Sequence, residues 1–367
     1  MKVPLVDLVS QHRAIAQEVH DGLERLFSSG AFILGEEVAR FEQAFADFCG
    51  LSSCVAVGNG TDALELALRA MRIGPGDEVI CPVNSFVASA LAILRAGASP
   101  VFCDVDAQTH LIDISDIERR ISPSTRAIMP VHLYGQMAQM EVLVDLAKSA
   151  GLKIVEDAAQ SQGAVRNGQG PGMFGNAAGT SFYPAKNIGA YGDAGAVLTQ
   201  SVEIADEVRA LRNYGSKRKY VHTRIGFNSR MDSMQAVILN AKLARLEQWN
   251  NARKEAADRY FGLLADASNI DLPMVLGGNE PVWHLFVVQV PYRDQTLDKL
   301  LQEGIEAGVH YPLPIHLQPA FSFMNHKEGD FPVAEKSARR ILSLPLFPEI
   351  TEQQQQHVAD VLRLAVT

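Results

Sequence analysis

The feature that most constrains the fold is a regular alternation of short apolar runs with longer segments of helical period. Most of the apolar runs before residue 200 are followed by a pattern in which apolar residues recur three or four positions apart. Strands that alternate with helices build a largely parallel sheet with helices on both faces. The predicted strands are Cys54–Val57, Glu78–Cys81, Pro100–Asp104, Ala127–Val131, Lys153–Glu156, Thr180–Tyr183 and Ala194–Thr199.

The periodicity changes in the last third of the chain. A long helical pattern covers residues 234–264, and after Pro273 the sequence predicts a strand at 283–290, a helix at 295–306 and a strand at 308–311. A length of 367 residues allows roughly two domains. We therefore expect a large α/β domain at 1–248 and a smaller α+β domain at 249–367. The helix predicted at 11–27 is expected to pack on the smaller domain.

Composition and charge exclude several classes of protein. The net charge of −9 argues against a nucleic-acid partner, since affinity for phosphates depends on clustered cations. The four cysteines form neither a CxxC pair nor a regular framework, so we expect free thiols and no metal site. No apolar run is long enough to cross a bilayer, and the first residues lack an apolar core of signal-peptide length. We expect a cytoplasmic protein that binds no membrane.

A single lysine stands in a turn directly after a predicted strand. The segment Gly179–Asp193 begins with that strand, is interrupted by Pro184, and carries Lys186 among small residues. Proline cannot continue a central strand, and glycine permits a tight turn of the backbone. A lysine held in this way can direct its amine into a crevice, as a Schiff-base lysine requires. A surface lysine in a turn is an equally simple interpretation of this segment alone.

A glycine-rich turn follows the first predicted strand. Residues Gly58–Ala63 read Gly-Asn-Gly-Thr-Asp-Ala and lead into a helix, whose first N–H groups could hold a phosphate. The same letters match G-x-G-x-x-A, which is typical of dinucleotide-binding folds. Those folds place an acidic residue at the end of the second strand, but Cys81–Asn84 stands there. A nicotinamide-dependent oxidoreductase is therefore disfavoured, while a structural turn without a ligand stays open.

Two more side chains follow strands of the predicted sheet. Phe86 could stack on a flat cofactor, although by itself a position in the core is the simpler interpretation. Asp157 carries a carboxylate that would be costly to bury without a cationic partner, such as a pyridinium nitrogen; the alternative is a cap on the next segment. Carboxyl ends of parallel strands meet at one edge of a sheet. A phosphate cradle, a ring, an aspartate and a lysine at one edge together meet the requirements of pyridoxal 5′-phosphate.

A family resemblance rests on ordered segments that run through the chain: Pro4–Leu8, Gly58–Leu64, Gly74–Val79, Glu156–Gln160, Ser181–Asp193, Leu211–Ser216, Gly226–Arg230 and His310–Pro312. Along nearly its whole length the chain resembles the sugar aminotransferases of the DegT/DnrJ/EryC1/StrS family. The resemblance implies a fold-type I pyridoxal-phosphate enzyme, with a mostly parallel seven-stranded sheet and a smaller C-terminal α+β domain. The loop Gly168–Gly172 departs from the family pattern without an evident reason.

The resemblance also implies roles for individual residues. Lys186 is expected to bind the cofactor as a Schiff base, Asp157 to pair with the pyridine nitrogen, and Gln160 to lie near the ring hydroxyl. Phe86 is expected to stack on the ring. One phosphate ligand is expected from the neighbouring subunit, which implies an obligate homodimer with shared active sites. The residues implied to hold the phosphate are Gly60, Thr61, Ser181 and the neighbouring subunit's copy of Asn228.

The expected substrates follow from two further segments. Lys186–Asp193 resembles the branch of the family that aminates C3 of a nucleotide-linked sugar. Arg212–Tyr220 resembles enzymes that act on dTDP-3-keto-6-deoxyhexoses, and its cations Lys217 and Arg218 suit a diphosphate, although a solvated basic loop is the alternative. Three side chains with hydroxyl or imidazole groups are expected to contact the sugar, unless the last two only pack the smaller domain: Tyr183, His310 and Tyr311.

The predicted reaction moves an amino group from L-glutamate to a C3 keto group, with the cofactor alternating between its pyridoxal and pyridoxamine forms. Its amino-sugar product would serve glycan assembly, such as lipopolysaccharide O-antigen or S-layer glycans. A UDP-linked 3-keto substrate and amination at C4 stay open. A dehydratase on the same scaffold would carry histidine in place of Lys186. A non-catalytic regulator would carry an added DNA-binding segment, and no basic helix-turn-helix pattern is visible at either end.

Overall fold

A seven-stranded sheet forms the centre of the computed structural model, which describes residues 1–366. The strands lie in the order β1-β8-β7-β5-β4-β2-β3, and the predicted α/β class is confirmed. The strands of the chain are β1 (Ser53–Val57), β2 (Glu78–Pro82), β3 (Ser99–Cys103), β4 (Thr125–Ile128), β5 (Lys153–Asp157), β6 (Val165–Arg166), β7 (Ala177–Ser181), β8 (Gly195–Thr199), β9 (Ser216–Arg218), β10 (Val221–His222), β11 (Asn279–Glu280), β12 (Phe286–Gln289) and β13 (Ile341–Leu344).

Helices cover both faces of this sheet and surround the short C-terminal strands. They are α1 (Leu8–Ser29), α2 (Glu36–Cys49), α3 (Gly60–Ala70), α4 (Ala88–Ala96), α5 (Ile114–Arg120), α6 (Met140–Ala150), α7 (Val202–Leu211), α8 (Ser233–Leu243), α9 (Leu246–Leu264), α10 (Arg293–Gln302), α11 (Pro332–Ala338) and α12 (Glu352–Ala365). Single 3-10 turns lie at Leu133–Gly135 and Ile315–Leu317, and a longer one at Pro319–Met324. Within residues 1–366, no helix combines the length and apolar composition needed to cross a membrane.

The side chains of each strand point alternately to the two faces of the sheet, and each face is covered by its own set of helices. In β1, Val55 and Val57 pack with α3, α4 and α7, whereas Cys54 and Ala56 pack with α2 and α8 on the other face. Successive strand side chains point to opposite faces, so a strand covered on both sides reads as a continuous apolar run. A separate apolar cluster in the C-terminal third contains residues from α9, β12 and α12, together with Val3 from the start of the chain.

The strand directions bring one set of strand ends together. β2, β3, β4, β5 and β7 run parallel, while β8 pairs antiparallel with both β1 and β7. Consequently β8 begins at the edge where its neighbours end: Gly195 lies opposite Val57 on one side and Ser181 on the other. A Cβ atom on Gly195 would lie 2.4 Å from the carbonyl carbon of Asn59, so the adjoining turn requires glycine there.

Several boundaries differ from the prediction. The helix predicted at 234–264 is two helices, because the chain bends at Ala244 and Arg245 between α8 and α9. Helix α4 begins at Ala88, and residues 84–87 form the turn that leads into it from β2. The strand predicted at 308–311 is wrong: Gly308 makes a single bridge to Ser343. Helix α1 packs its buried residues against Ile238 of α8 and Trp249 of α9, so it contacts both sides of the predicted boundary at residue 249.

Candidate active site

A cavity of about 470 Å³ opens at the edge where β1, β5 and β7 end and β8 begins. This cavity is lined by most of the residues that were predicted from the sequence to form a site. Those lining residues are Gly60, Thr61, Phe86, Asp157, Gln160, Ser181, Tyr183, Lys186, His310 and Tyr311. The other predicted residues, Lys217, Arg218 and Asn228, do not line the cavity of their own chain. All three have exposed side chains, on the β9–β10 hairpin and in the segment that follows it.

The first turn of α3 forms one end of the cavity. Asn59 caps this helix, and its side-chain oxygen accepts a hydrogen bond from the Asp62 N–H at 2.8 Å. A Cβ atom on Gly60 would lie 2.6 Å from the Ser181 Cβ atom, so only glycine allows β7 to approach the helix so closely. The N-terminal end of the helix, Thr61 and Ser181 therefore line the same cavity. Such an arrangement favours an anion, phosphate above all.

Asp157 lies on the floor of the cavity and is buried. One carboxylate oxygen accepts a hydrogen bond from the Ser89 hydroxyl at 2.6 Å, and the other accepts one from the Ala159 N–H at 3.1 Å. Burial raises the pKa of Asp157, while the Ser89 hydroxyl, the Ala159 N–H and the charge of Lys186 oppose that rise. The carboxylate thus lacks full compensation for its burial, and a protonated ring nitrogen would supply it.

Lys186 lies in the turn after β7 and faces the same cavity. The turn is closed by a hydrogen bond from the Lys186 N–H to the Tyr183 carbonyl at 2.8 Å. Burial lowers the pKa of Lys186 to about 8, against the opposing effect of Asp157. An amine with this pKa is partly neutral near pH 7 to 8, and the neutral amine is the form that attacks a carbonyl.

Aromatic and polar rings form the opposite side of the cavity. Phe86 is 54% exposed in this chain, so the interpretation of Phe86 as a core residue is wrong. Its ring centroid lies 5.3 Å from that of Tyr311, at an interplanar angle of 38°. Gln160 donates to the Tyr311 hydroxyl at 3.3 Å and accepts from the Tyr134 N–H at 2.6 Å. The Tyr134 hydroxyl in turn donates to the His310 carbonyl at 2.5 Å. This bond connects the segment of His310 and Tyr311 to the 3-10 turn at Leu133–Gly135.

Comparison with known proteins agrees with this geometry. The sequence profile of the DegT/DnrJ/EryC1/StrS aminotransferase family matches residues 13–363. This chain belongs to that family. It is 44% identical to the pleiotropic regulatory protein of Geobacillus stearothermophilus over 362 residues, covering 98% of this chain and 97% of that protein.

Two further relatives carry more specific names. The dTDP-3-amino-3,4,6-trideoxy-alpha-D-glucose transaminase of Streptomyces venezuelae is 44% identical over 362 residues, covering 99% of this chain and 96% of the relative. The crystal structure of S. venezuelae DesV in complex with a ketimine intermediate matches with a TM-score of 0.97 and 43% identity. That match covers 100% of this chain and 99% of the DesV chain.

Pyridoxal 5′-phosphate is the cofactor of this family member, and the residues present fit it. The first turn of α3 and Ser181 would hold its phosphate, Asp157 would face its ring nitrogen, and Lys186 would bind its aldehyde carbon. When bound, the cofactor supplies an aldehyde that accepts amines and a protonated ring that withdraws electrons from the attached carbon. Within residues 1–366, no cluster of three or more histidine, cysteine, aspartate or glutamate side chains could hold a metal ion.

Several residues of the site were missed in the sequence. Ser85 and Ser89 bond to each other at 2.6 Å, and Ser89 continues the chain of hydroxyls to Asp157. Both are buried, and their i, i+4 spacing was a signal that one side of this segment is polar. Asp193 and His284 also line the cavity. His284 lies two residues before β12 and shares the cavity with Lys186 only in the folded chain, so spacing along the sequence could not reveal it.

The loop that departs from the family pattern has a role behind β5. Glu156 is fully buried on the face opposite Asp157 and accepts hydrogen bonds from the N–H groups of Gly172 at 3.0 Å and Gly175 at 2.6 Å. Its carboxylate also bonds to His132 Nε2 at 2.8 Å. The loop after β6 thus provides the donors that a buried carboxylate needs.

Proposed function

We propose that this chain transfers an amino group from L-glutamate to C3 of a nucleotide-linked 3-keto-6-deoxyhexose, most simply a dTDP-linked one. The observation that carries the proposal is the pairing of Lys186 and Asp157 in a cavity whose other wall presents Tyr183, His310 and Tyr311. The first two residues serve aminotransfer, and the last three present the hydroxyl and imidazole groups that bind sugar hydroxyls. The S. venezuelae relative, named for a dTDP-3-amino sugar, supports the choice of C3 and of dTDP.

In this proposal each half of the reaction depends on proton transfer by Lys186. Its amine removes the proton from the α-carbon of glutamate and later delivers a proton to the sugar carbon. Asp157 holds the proton on the ring nitrogen, which Ser89 supports by keeping the carboxylate ionised. Phe86 and Tyr311 restrict the access of water, and His310, whose pKa burial lowers to about 4, remains a neutral hydrogen-bonding group.

A direct assay tests the substrate. The purified enzyme is incubated with glutamate and, separately, with dTDP- and UDP-linked 3-keto and 4-keto sugars, and the products are identified by mass and NMR. Amination of the dTDP-linked 3-keto sugar at C3 is expected to be fastest. A preference for a UDP-linked sugar would show that only the proposed nucleotide is wrong. Amination at C4 would show that the proposed position of amination is wrong. The Lys186→Ala variant serves as the inactive control.

A non-catalytic regulator is the second candidate, because the relative from G. stearothermophilus is named a pleiotropic regulatory protein. The presence of Asp157 and of Lys186, whose pKa is lowered by burial, in one cavity supports catalysis instead. If no keto sugar is aminated while glutamate still converts the bound cofactor to its amine form, the proposed acceptor is wrong. If glutamate also leaves the cofactor unchanged, the regulatory interpretation gains support.

We further propose a cytoplasmic homodimer in which each site takes residues from both subunits. Among the cavity-lining residues within 1–366, Lys186 is the one lysine and no arginine is present, although glutamate carries two carboxylates and the nucleotide sugar carries a diphosphate. Lys217 and Arg218 are exposed on a hairpin and can serve the partner's cavity. Asn228 is exposed as well. The neighbouring Ser229 is buried, and its hydroxyl accepts a hydrogen bond from the Gly58 N–H and donates one to the Asp62 carboxylate of its own chain.

Subunit complementation tests this arrangement. Lys186→Ala and Asn228→Ala chains, each inactive alone, are mixed so that subunits exchange. If Asn228 serves the partner's site, each mixed dimer regains one site with both natural residues, and about a quarter of the wild-type activity returns under random pairing. Mixed dimers that are demonstrated physically but stay inactive would place Asn228 in the site of its own chain or outside any site.

A further inference from the structure

Ser229 connects the segment before α8 to the turn that leads from β1 into α3. It is buried, although Asn228 beside it is exposed. The Ser229 hydroxyl accepts a hydrogen bond from the Gly58 N–H at 3.1 Å and donates one to Oδ2 of Asp62 at 2.6 Å. An ionised carboxylate can only accept, so the direction of both bonds is fixed. Ser229 therefore holds both ends of Gly58–Asp62, the turn that would bind the cofactor phosphate.

Asp62 carries a carboxylate in the first turn of α3, at the end of the helix that favours anions. Its N–H donates to the Asn59 side-chain oxygen at 2.8 Å, which is one half of a capping box. In the other half, a carboxylate at this position folds back onto the backbone N–H of the cap residue. Within residues 1–366 that second bond is not formed, and the Asp62 carboxylate bonds to Ser229 and Arg95 instead. The N–H of Asn59, a cavity-lining residue, is thereby not occupied by the carboxylate.

Charged groups also hold Asp62 from the side of α4. Arg95 Nη2 lies 2.9 Å from Oδ1 of Asp62, and Arg95 Nε lies 2.8 Å from Oε2 of Glu65. Glu65 pairs in turn with Arg69 at 2.9 Å, so two carboxylates face two guanidinium groups. The side chain of Arg95 is 47% exposed, so solvent screens its attraction for Asp62. Ser229 is thus the buried partner of the Asp62 carboxylate, and Arg95 is the solvated one.

We propose that Ser229 keeps the Asp62 carboxylate away from the phosphate site, which makes Ser229 a positioning residue for the cofactor phosphate. Without the Ser229 hydroxyl, Oδ2 of Asp62 is free to turn back to the Asn59 N–H and complete the capping box. The carboxylate would then compete with the phosphate for the same helix end and would repel it. Phosphate binding at this turn does not depend on which keto sugar is aminated, so this role of Ser229 is independent of the proposed acceptor.

The affinities of the apoenzyme for pyridoxal 5′-phosphate and for pyridoxal, which lacks the phosphate, test this role. Both compounds give a visible band when their aldehyde binds the lysine, so each dissociation constant can be titrated without turnover. For Ser229→Ala we expect about tenfold weaker binding of pyridoxal 5′-phosphate, on the scale of one charge-assisted hydrogen bond, and unchanged binding of pyridoxal. Equal weakening of both compounds, or weakening of neither, would overturn the proposal.

A second substitution, Asp62→Asn, separates the charge of the side chain from its shape. The amide keeps an oxygen that can accept hydrogen bonds but carries no charge that repels phosphate. Combined with Ser229→Ala, Asp62→Asn should restore most of the affinity for pyridoxal 5′-phosphate, because the competing carboxylate is gone. A double variant that binds as weakly as Ser229→Ala would show that the carboxylate is not the competitor, and would overturn the proposal. If Ser229→Ala does not fold, Ser229→Cys, whose thiol is a weak donor of similar size, replaces it in both titrations.

Ser201 offers a matched control. Its hydroxyl likewise accepts from a backbone N–H, that of Ile204 at 3.2 Å, and donates to a carboxylate, that of Glu203 at 2.8 Å. Ser201 caps α7 and does not line the cavity. Ser201→Ala should lower the melting temperature without changing the ratio of the two dissociation constants. A change of that ratio as large as in Ser229→Ala would overturn the proposal. The titrations use neither glutamate nor sugar, so failure of the proposed sugar reaction would leave their result intact.

Discussion

The cofactor side and the substrate side of the cavity are assembled differently. On the cofactor side, Gly60, Asp157 and Lys186 lie at or just beyond the ends of three strands of one sheet, and short hydrogen bonds within the chain fix their surroundings. On the substrate side, His310 and Tyr311 come from a distant segment, and the cavity wall holds no cation to meet a diphosphate. The lysine and the carboxylate of the cofactor side lie in one chain, whereas the lining residues within 1–366 offer no arginine and no second lysine to the substrate side. Changes on the cofactor side should therefore affect both half-reactions, and changes on the substrate side only one.

The largest expected effect is that of Lys186→Ala. Without the amine that binds the cofactor and transfers protons, turnover should fall by ~10³-fold or more in both half-reactions. Borohydride reduction of the wild-type enzyme, followed by peptide mapping, should place the cofactor on Lys186. Lys242 is a matched control, because burial lowers its pKa to about 8 as well, yet it does not line the cavity. Label on Lys242 would show that a low pKa alone decides which lysine reacts.

Asp157→Asn should have the next largest effect. A neutral partner no longer holds the proton on the ring nitrogen, so both half-reactions should slow by ~10²-fold while the cofactor stays bound. Stopped-flow absorbance measures each half, and the spectrum of the purified variant reports cofactor content. Near-native rates in either half would show that Asp157 is not the partner of the ring nitrogen.

Substitutions on the substrate side should be smaller and selective. His310→Ala and Tyr311→Phe each remove about one hydrogen bond to the sugar, so the sugar half should slow by roughly threefold to tenfold while the glutamate half is nearly unchanged. Thermal melting is the control. A melting temperature that falls in step with both half-reactions would mean that these residues only pack the C-terminal segment.

The smallest effect is expected from Ser89→Ala and is best seen in pH dependence. The Ser89 hydroxyl lowers the pKa of Asp157, and its loss should raise that pKa further. The proposed role of Asp157 requires its ionised form. When the pH is lowered, the variant should therefore begin to lose activity at a higher pH than the wild type. The acid limb of kcat/KM reports this shift. Ser89→Thr should restore the limb, and Ser85→Ala, which touches Asp157 only through Ser89, should move it less.

The cofactor side could be predicted from the sequence because its residues follow strands in short, contiguous motifs. Each of the seven predicted sheet strands corresponds to an observed one within three residues, so strand ends were placed well enough to bring Asp157 and Lys186 together. Phe86 was ambiguous, because an aromatic ring that follows a strand can either stack on a cofactor or pack in the core. Helix α4 begins only at Ala88, and the turn before it exposes the ring.

The remaining residues depend on contacts between distant parts of the chain. Ser89 reaches Asp157 across 68 positions, and His284 reaches Asn187 across 97. Neither residue belongs to a motif with a chemical signature of its own. The roles of Lys217, Arg218 and Asn228 stay predictions for a more basic reason: they concern a second copy of the chain, and the packing of one chain does not determine its interface.

The glycine amides that serve Glu156 make the loop after β6 inseparable from strand β5. A replacement loop whose backbone no longer directs these two N–H groups at Glu156 would leave the buried carboxylate with His132 as its remaining partner, at a cost of several kcal/mol. Because Asp157 is the next residue, the disturbance would reach the carboxylate of Asp157 through the backbone. The loop after β6, Glu156 and His132 therefore depend on one another structurally. A chimera with a relative should take all three from the same parent.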